Sequence, residues 1–195
     1  MERLWTPWRL AYVSGDSPES RKGVPAELAA WPADQDLDCV FCNMIAAMRW
    51  ATTQGMSLED AERAALIVEQ GETCFVCLNR YPYSTGHVMI VPYLHSPSLA
   101  ELPEPAALEM MRSARRMELA LRETYRPDGL NMGINMGQAA GAGIAEHLHL
   151  HCLPRWSGDT NFMTTTAETR VLPEELTMTW TRLRAAPGTS ISTLF

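Results

Sequence analysis

The spacing of apolar positions along this chain changes several times, and each change predicts an element. Ala64 to Glu69 and Thr73 to Leu78 are short, mostly apolar runs on either side of Gln70-Gly71-Glu72, the pattern of a β-hairpin. Gly86 to Val91 is a further strand, ended by Pro92. From Pro103 to Tyr125 the spacing becomes helical: Leu108, Met111, Arg115 and Leu119 recur three or four positions apart, and Pro127-Asp128-Gly129 stops the run. Leu130 to Met136 and His147 to Leu153 read as two more strands, and Glu174 to Arg184 as a last helix. Ser57 to Glu62 has the form of a helix start, with Ser57 as cap and Asp60 in the first turn. Residues 1–37, rich in Trp, Pro, Ser and Asp, read as an extended arm whose Trp5, Trp8 and Trp31 pack on the body or on a partner subunit. Strands, one long helix and strands again predict an α+β fold with a mainly antiparallel sheet. At 195 residues the expectation is one core, divided as an arm (1–37), a main domain (38–162) and an extension with a short helix (163–195).

The alternation in His147-Leu148-His149-Leu150-His151-Cys152-Leu153 carries the chemistry. On a strand, residues two apart share a face. The three imidazoles therefore line up on one side, and Leu148, Leu150 and Cys152 point into a core. Only five histidines are present in the whole chain, so three in one row is a concentration. A half-exposed strand, a three-histidine metal site and a phosphate-ester site all remain open on this pattern alone. The run Gly137-Gln138-Ala139-Ala140-Gly141-Ala142-Gly143 just upstream favours the phosphate reading, because a Gly-rich loop lets backbone N–H groups approach phosphate oxygens.

Composition narrows the partners. A formal net charge of −7 argues against a non-specific nucleic-acid binder, which is normally basic, but leaves room for a nucleotide in a local pocket. No apolar run approaches the roughly 18 residues of a membrane span, and the first residues lack the apolar core of a secretory signal. Five cysteines, two of them in Cys39-Val40-Phe41-Cys42, suit a reducing cytoplasm. The expected partner is a small-molecule nucleotide, with neither nucleic acid nor membrane.

The histidine row resembles the His-φ-His-φ-His-φ-φ signature of the histidine triad (HIT) superfamily. A second block, Leu78-Asn79-Arg80-Tyr81-Pro82-Tyr83-Ser84-Thr85-Gly86-His87-Val88, resembles the Asn-Arg-x-Pro-x-x-x-Gly-His-Val segment of the fragile-histidine-triad hydrolases. The resemblance spans roughly Asp38 to Phe162. The opening Leu4-Trp5-Thr6-Pro7-Trp8-Arg9 and the tail from Pro154 to Phe162 look like the longer bacterial branch, which includes diadenosine tetraphosphate phosphorylases. This resemblance implies about five antiparallel strands with a long helix packed across them, and a homodimer. The galactose-1-phosphate uridylyltransferases of the same superfamily carry His-Pro-His, which Leu148 and Leu150 do not match.

Cys39-x-x-Cys42 lies in a polar, turn-prone setting and supplies two metal ligands of a tetrahedral four. The zinc-bearing members of the superfamily complete the set with a histidine after a Pro-x-x-His element and the first triad histidine. Pro92-Tyr93-Leu94-His95 fits that element, so the resemblance implies a structural zinc on Cys39, Cys42, His95 and His147. An unmetallated thiol pair is the alternative. Cys74 and Cys77 are three apart within a predicted strand, face opposite sides and cannot share an ion; both read as buried, apolar-like cysteines.

The resemblance also assigns roles. His149 is the expected nucleophile, attacking an α-phosphorus through Nε2 while a backbone carbonyl holds its Nδ1–H. His151 is expected to bond the phosphate or help protonate the leaving oxygen. Asn79 is the expected ribose contact, or else an Asx-turn before Pro82. Asn135 and Gln138 stand where relatives place phosphate or sugar contacts, with a polar residue at a strand end as the alternative for Asn135. The stretch from Gly141 through Gly143 to Ile144 is expected to supply backbone N–H groups. His87 either approaches the nucleotide or is a satisfied strand histidine. Where many relatives carry Ser or Thr shortly before the triad, this chain has Gly143 and Ile144. The function implied is a nucleotidyl hydrolase or transferase acting on an adenine dinucleotide polyphosphate such as diadenosine tetraphosphate. An adenosine phosphoramidase, or a nucleotide-binding module without turnover, are the other readings.

Overall fold

The computed structural model describes residues 21–159 and 174–186. Trp5, Trp8 and the tail residues Asn161 and Phe162 lie outside the described residues. The sheet consists of β1 (Ile67–Gln70), β2 (Cys74–Leu78), β3 (Val88–Pro92), β4 (Gly129–Ile134) and β5 (Leu150–Arg155). The strands lie in the order β1-β2-β3-β5-β4, and every neighbouring pair is antiparallel. Four helices accompany them among the described residues: α1 (Val40–Thr53), α2 (Leu58–Ala64), α3 (Glu104–Tyr125) and α4 (Leu176–Ala185). The expected α+β class and antiparallel sheet are what the chain forms. Among the described residues, no helix is long and apolar enough to cross a membrane.

β2 and β3 are apolar at nearly every position because both faces of the sheet are covered there. On one face, Cys74, Val76, Val88, Ile90, Leu148, Leu150 and Cys152 pack against Met110, Ala114, Met117 and Leu121 of α3 and Trp180 and Leu183 of α4. On the other face, Ile67, Phe75, Cys77, Met89 and Val91 pack against Phe41, Met44, Ala47 and Met48 of α1 and against Leu28 and Trp31. Cys74 and Cys77 thus serve opposite cores, as their three-residue spacing requires. The described part of the arm is not loosely extended: two short 3-10 turns (Ala26–Leu28 and Ala33–Gln35) seat Leu28 and Trp31 in the second core.

Three sequence expectations need correction. The Cys39–Cys42 segment is not a turn. Cys39 is the N-cap of α1 and Cys42 lies in its first helical turn. The helix follows from Phe41, Met44, Ala47, Met48 and Ala51, spaced three or four apart and all buried. The first strand begins later than expected, at Ile67, because Ala64 ends α2 and Leu66 takes a left-handed turn (φ 58°) into β1. Finally, the helical spacing of Leu108, Met111, Arg115 and Leu119 marks the solvent side of α3. Leu108, Met111 and Leu119 are 50%, 56% and 48% exposed, while Ala106, Met110, Ala114, Met117 and Leu121 face the core.

Several local devices match the sequence closely. The Ser57 hydroxyl accepts the Asp60 N–H and caps α2. Arg126, left-handed at φ 46°, closes α3 by donating its N–H to Arg122. Trp180 of α4 is buried and donates its indole N–H to the Ile67 carbonyl at 2.7 Å, which fastens the last helix to β1. Arg116 of α3 pairs with Glu69 of β1 in the interior, and the Ser113 hydroxyl accepts from the same guanidinium.

Candidate active site

The histidine row enters the sheet from the Gly-rich loop. Regular pairing in β5 starts only at Leu150, because the Leu148 N–H donates to the Ser96 carbonyl at 2.7 Å rather than to a strand. The alternation still holds through the whole row. Leu148, Leu150 and Cys152 fill the α3 core, and His147, His149 and His151 take the opposite face, where His151 is opposite Met89 of β3. The ring centroids of His149 and His151 are 4.8 Å apart.

Each histidine of the row has a different hydrogen-bond partner, and the partners fix the tautomers. The His149 Nδ1 lies 2.8 Å from the His147 carbonyl oxygen. A carbonyl only accepts, so Nδ1 carries the hydrogen and Nε2 keeps its lone pair. Burial holds the His149 pKa below the ordinary histidine value, so the ring is neutral near pH 7. In His147 the order is reversed: Nε2 donates to the Pro92 carbonyl at 2.9 Å, and the Nδ1 lone pair faces Cys39 Sγ at 3.3 Å and Cys42 Sγ at 3.6 Å.

His151 is governed from behind. The Tyr83 backbone N–H donates to His87 Nδ1 at 3.1 Å, and the Asn79 amide nitrogen lies 3.4 Å from the same atom. His87 therefore carries its hydrogen on Nε2, which lies 2.9 Å from His151 Nδ1. His151 Nδ1 accepts, and the His151 hydrogen sits on Nε2. His87 is buried and is a satisfied histidine backing His151, outside the lining of the cleft.

In front of the row lies a cleft of about 740 Å³ including its open mouth. His149, His151, Asn79, Gly143 and Ile144 line it, as do Phe41 and Met44 of α1. The mostly apolar lining with a few polar groups suits a small-molecule ligand. Asn79 also forms the Asx-turn that was the alternative to a ribose contact, accepting the Tyr81 N–H at 2.9 Å. Gln138 lines an adjoining hollow beside Cys39 and His95 rather than the cleft itself. Asn135 and Gly141 are not among the residues lining either space; the Asn135 side chain lies beside Gly141. Phe41 and Met44, unforeseen because α1 was unforeseen, supply the apolar wall, and Arg80, Tyr81 and Tyr83 of the motif before β3 also line the cleft. The helical spacing of Phe41 and Met44 was the available signal.

Cys39, Cys42, His95 and His147 bring four ligand atoms within 4.8 Å of one another, although 108 positions separate the first from the last. The donor set fits a tetrahedral zinc ion. His147 offers Nδ1 as a lone pair, and burial lowers its pKa to about 4, so it is neutral. Burial, with Cys39 alongside, pushes the Cys42 thiol up to about 12, so a thiolate here needs a cation as partner.

Gly86, at φ 81°, turns the chain into β3 directly before His87. A Cβ there would stand 3.0 Å from both Leu121 Cδ2 and Tyr125 Cε2 of α3. Gly86→Ala is expected to cost about 1–3 kcal/mol of stability, read by denaturant unfolding.

The HIT domain family profile matches residues 60–158. An AP-4-A phosphorylase of Mycobacterium tuberculosis is 35% identical over 176 residues, which is 90% of this chain and 79% of that protein. Among solved structures, a zinc-bound histidine triad family protein from Mycobacterium smegmatis superposes with a TM-score of 0.55 at 27% identity. That match covers 76% of this chain and 91% of the other. A hypothetical histidine triad nucleotide-binding protein from Sulfolobus tokodaii has the same fold, with a TM-score of 0.55 at 24% identity over 75% of this chain and 89% of its own.

Proposed function

From the premise that this chain belongs to the HIT family, we propose that it cleaves a dinucleoside polyphosphate, diadenosine tetraphosphate foremost, through a nucleotide held covalently on His149. Family membership makes it a nucleotide-processing enzyme of the hydrolase or transferase type. The observation that carries the finer reading is the state of His149: neutral, with Nδ1–H tied to the His147 carbonyl and Nε2 as lone pair on a side chain that lines the cleft. That lone pair attacks the α-phosphorus, and the anhydride bond to the rest of the polyphosphate breaks, its electron pair leaving on the bridging oxygen. Water or inorganic phosphate then takes the nucleotide from the ring. Phe41, Met44 and Ile144 give the base an apolar wall, Asn79 faces the ribose, and the backbone at Gly143 meets the phosphate. The 35% identity to the mycobacterial phosphorylase over most of the chain supports a long polyphosphate substrate.

Product analysis tests the reading. Diadenosine tetraphosphate is incubated with and without inorganic phosphate. ADP plus ATP formed only with phosphate identifies phosphorolysis, and AMP plus ATP in water identifies hydrolysis. No cleavage under either condition rejects the substrate.

The reading includes a zinc ion on Cys39, Cys42, His95 and His147. Closed by four protein ligands, it supplies rigidity where α1 meets the start of the histidine row. All five cysteines are free thiols in the structure, which suits a reducing cytoplasm. We also read the protein as a homodimer. Leu108, Met111 and Leu119 form an exposed apolar row on α3, and β4 ends the sheet with no further strand among the described residues. Met111→Glu with Leu119→Glu is expected to convert a dimer to a monomer in sedimentation; an unchanged mass would place the interface elsewhere.

A further inference from the structure

The turn ahead of α1 belongs to the cleft, although it precedes residues 60–158, which the HIT profile matches. Gly23 and Val40 line the cleft together with Phe41 and Met44. The Val24 N–H donates to the Arg21 carbonyl at 3.3 Å, closing a β-turn with Gly23 at its third position and φ 71°. That conformation favours glycine. Close approach demands it a second time. A Cβ at residue 23 would stand 2.1 Å from the Val40 carbonyl oxygen and 2.8 Å from Val40 Cα. The obstacle is backbone, so no rotamer change relieves it. Only a residue without a side chain lets this turn lie against the start of α1.

Two polar side chains hold the turn there. Asn43, fully buried on α1, accepts the Leu37 N–H at 2.7 Å and donates to the carbonyls of Lys22 and Leu37, each at 2.8 Å. Both amide hydrogens and the oxygen are used. One carboxamide therefore ties both ends of segment 22–37 to the helix that carries Phe41. Arg21 ties the middle: its guanidinium donates to the carbonyls of Ala29, Trp31 and Pro32 and pairs with Asp36. Val24, Leu28 and Trp31 are buried in the core under α1.

We propose that Gly23 is a specificity-determining residue, a wall of the base pocket, and that Asn43 is the positioning residue that sets it. This rests on the reading of the apolar α1 side of the cleft as the place of the base. The turn adds main chain to the surface of Val40, Phe41 and Met44, and a flat base packs on it at the distance that a missing Cβ allows. A side chain at residue 23 would displace the turn rather than α1, because Phe41, Met44, Ala47, Met48 and Ala51 anchor the helix in its core. The base would then lose a wall. His149 and Gly143 belong to other segments, so the sugar and phosphate would keep their contacts.

The test compares AMP with ribose 5-phosphate, which shares its sugar and phosphate and lacks the base. AMP binding is measured by calorimetry and ribose 5-phosphate binding by displacement of AMP. Gly23→Ala and Asn43→Ala are each expected to weaken AMP by about 10-fold and ribose 5-phosphate by less than about twofold. Ser57→Ala, which removes the α2 cap, isolates the effect of destabilisation alone and is expected to leave both affinities within about twofold of wild type. Thermal melting and zinc content show which variants are folded. Hydrogen exchange on wild type needs no substitution: bound AMP is expected to slow exchange at the backbone amides of Gly23 and Val24, and this measurement decides if a variant does not fold. Equal losses on AMP and ribose 5-phosphate, AMP affinity unchanged in a folded variant, or unaltered exchange at Gly23 and Val24 would overturn the wall while leaving the nucleotide site standing. Wild type that does not bind AMP would overturn the underlying reading as well.

Discussion

Replacing His149 by alanine is expected to lower turnover of diadenosine tetraphosphate by roughly 10⁴-fold or more, with nucleotide binding little changed. Loss of a covalent nucleophile removes a whole route rather than one contact, and single nucleophile deletions in covalent enzymes reach this range. His149 has no substitute nearby. His147 presents its lone pair to two sulfurs, and the His151 lone pair accepts from His87. Binding should survive, because Met44, Asn79 and Ile144 also line the cleft. Steady-state kinetics beside calorimetric binding of AMP reads both quantities. A loss below about tenfold would mean that water attacks the phosphorus directly.

The second large effect concerns the Cys39–Cys42–His95–His147 cluster. Purified protein is expected to carry about one zinc per chain by elemental analysis. Cys39→Ser combined with Cys42→Ser is expected to abolish that zinc and lower unfolding free energy by about 3–5 kcal/mol, measured by denaturant titration. The reason lies in what the cluster joins. Cys39 caps α1 and Cys42 lies in its first turn, while His147 opens the histidine row and His95 follows β3. Losing the ion would leave one buried thiol, one half-buried thiol and an imidazole lone pair with no cation between them. It would also loosen Phe41, whose ring packs on both His147 and His149. Activity is therefore expected to fall with stability, and zinc repletion of chelated wild type to restore both. Metal-free protein of unchanged stability would show that the four residues pack as an uncharged cluster.

The sequence made the strands and the histidine row legible because both depend on short-range alternation. The period of two in His147–Leu153 survives even where β5 has not yet begun pairing, since Leu148 and Leu150 are drawn to the same core regardless. The metal cluster was legible only through resemblance: nothing local in Pro92-Tyr93-Leu94-His95 announces that His95 meets a cysteine 53 positions away. α1 is hard to read from the sequence because its polar approach, from Asp36 to Asp38, and the Cys-x-x-Cys pair have the composition of a turn, although Phe41, Met44 and Met48 carry a helical period. The apolar face of α3 was misplaced for a different reason. Its true core face uses Ala106, Ala114 and Ala120, small residues that let the helix approach the sheet, while larger Leu108 and Leu119 stand outside. Residue size alone does not tell a core stripe from an exposed one. The backing of His151 by His87 and the Tyr83 backbone could not be read at all, because it depends on the turn that Gly86 makes.

The most direct test of the central claim is detection of the covalent intermediate. Wild-type protein mixed with diadenosine tetraphosphate is quenched in alkali within milliseconds, digested, and the peptides are weighed. The account predicts one adenylyl group on the peptide that spans the histidine row, localised by fragmentation to His149 and absent from His149→Ala. Steady turnover with no protein-bound nucleotide, or an adduct on any other residue, would contradict it.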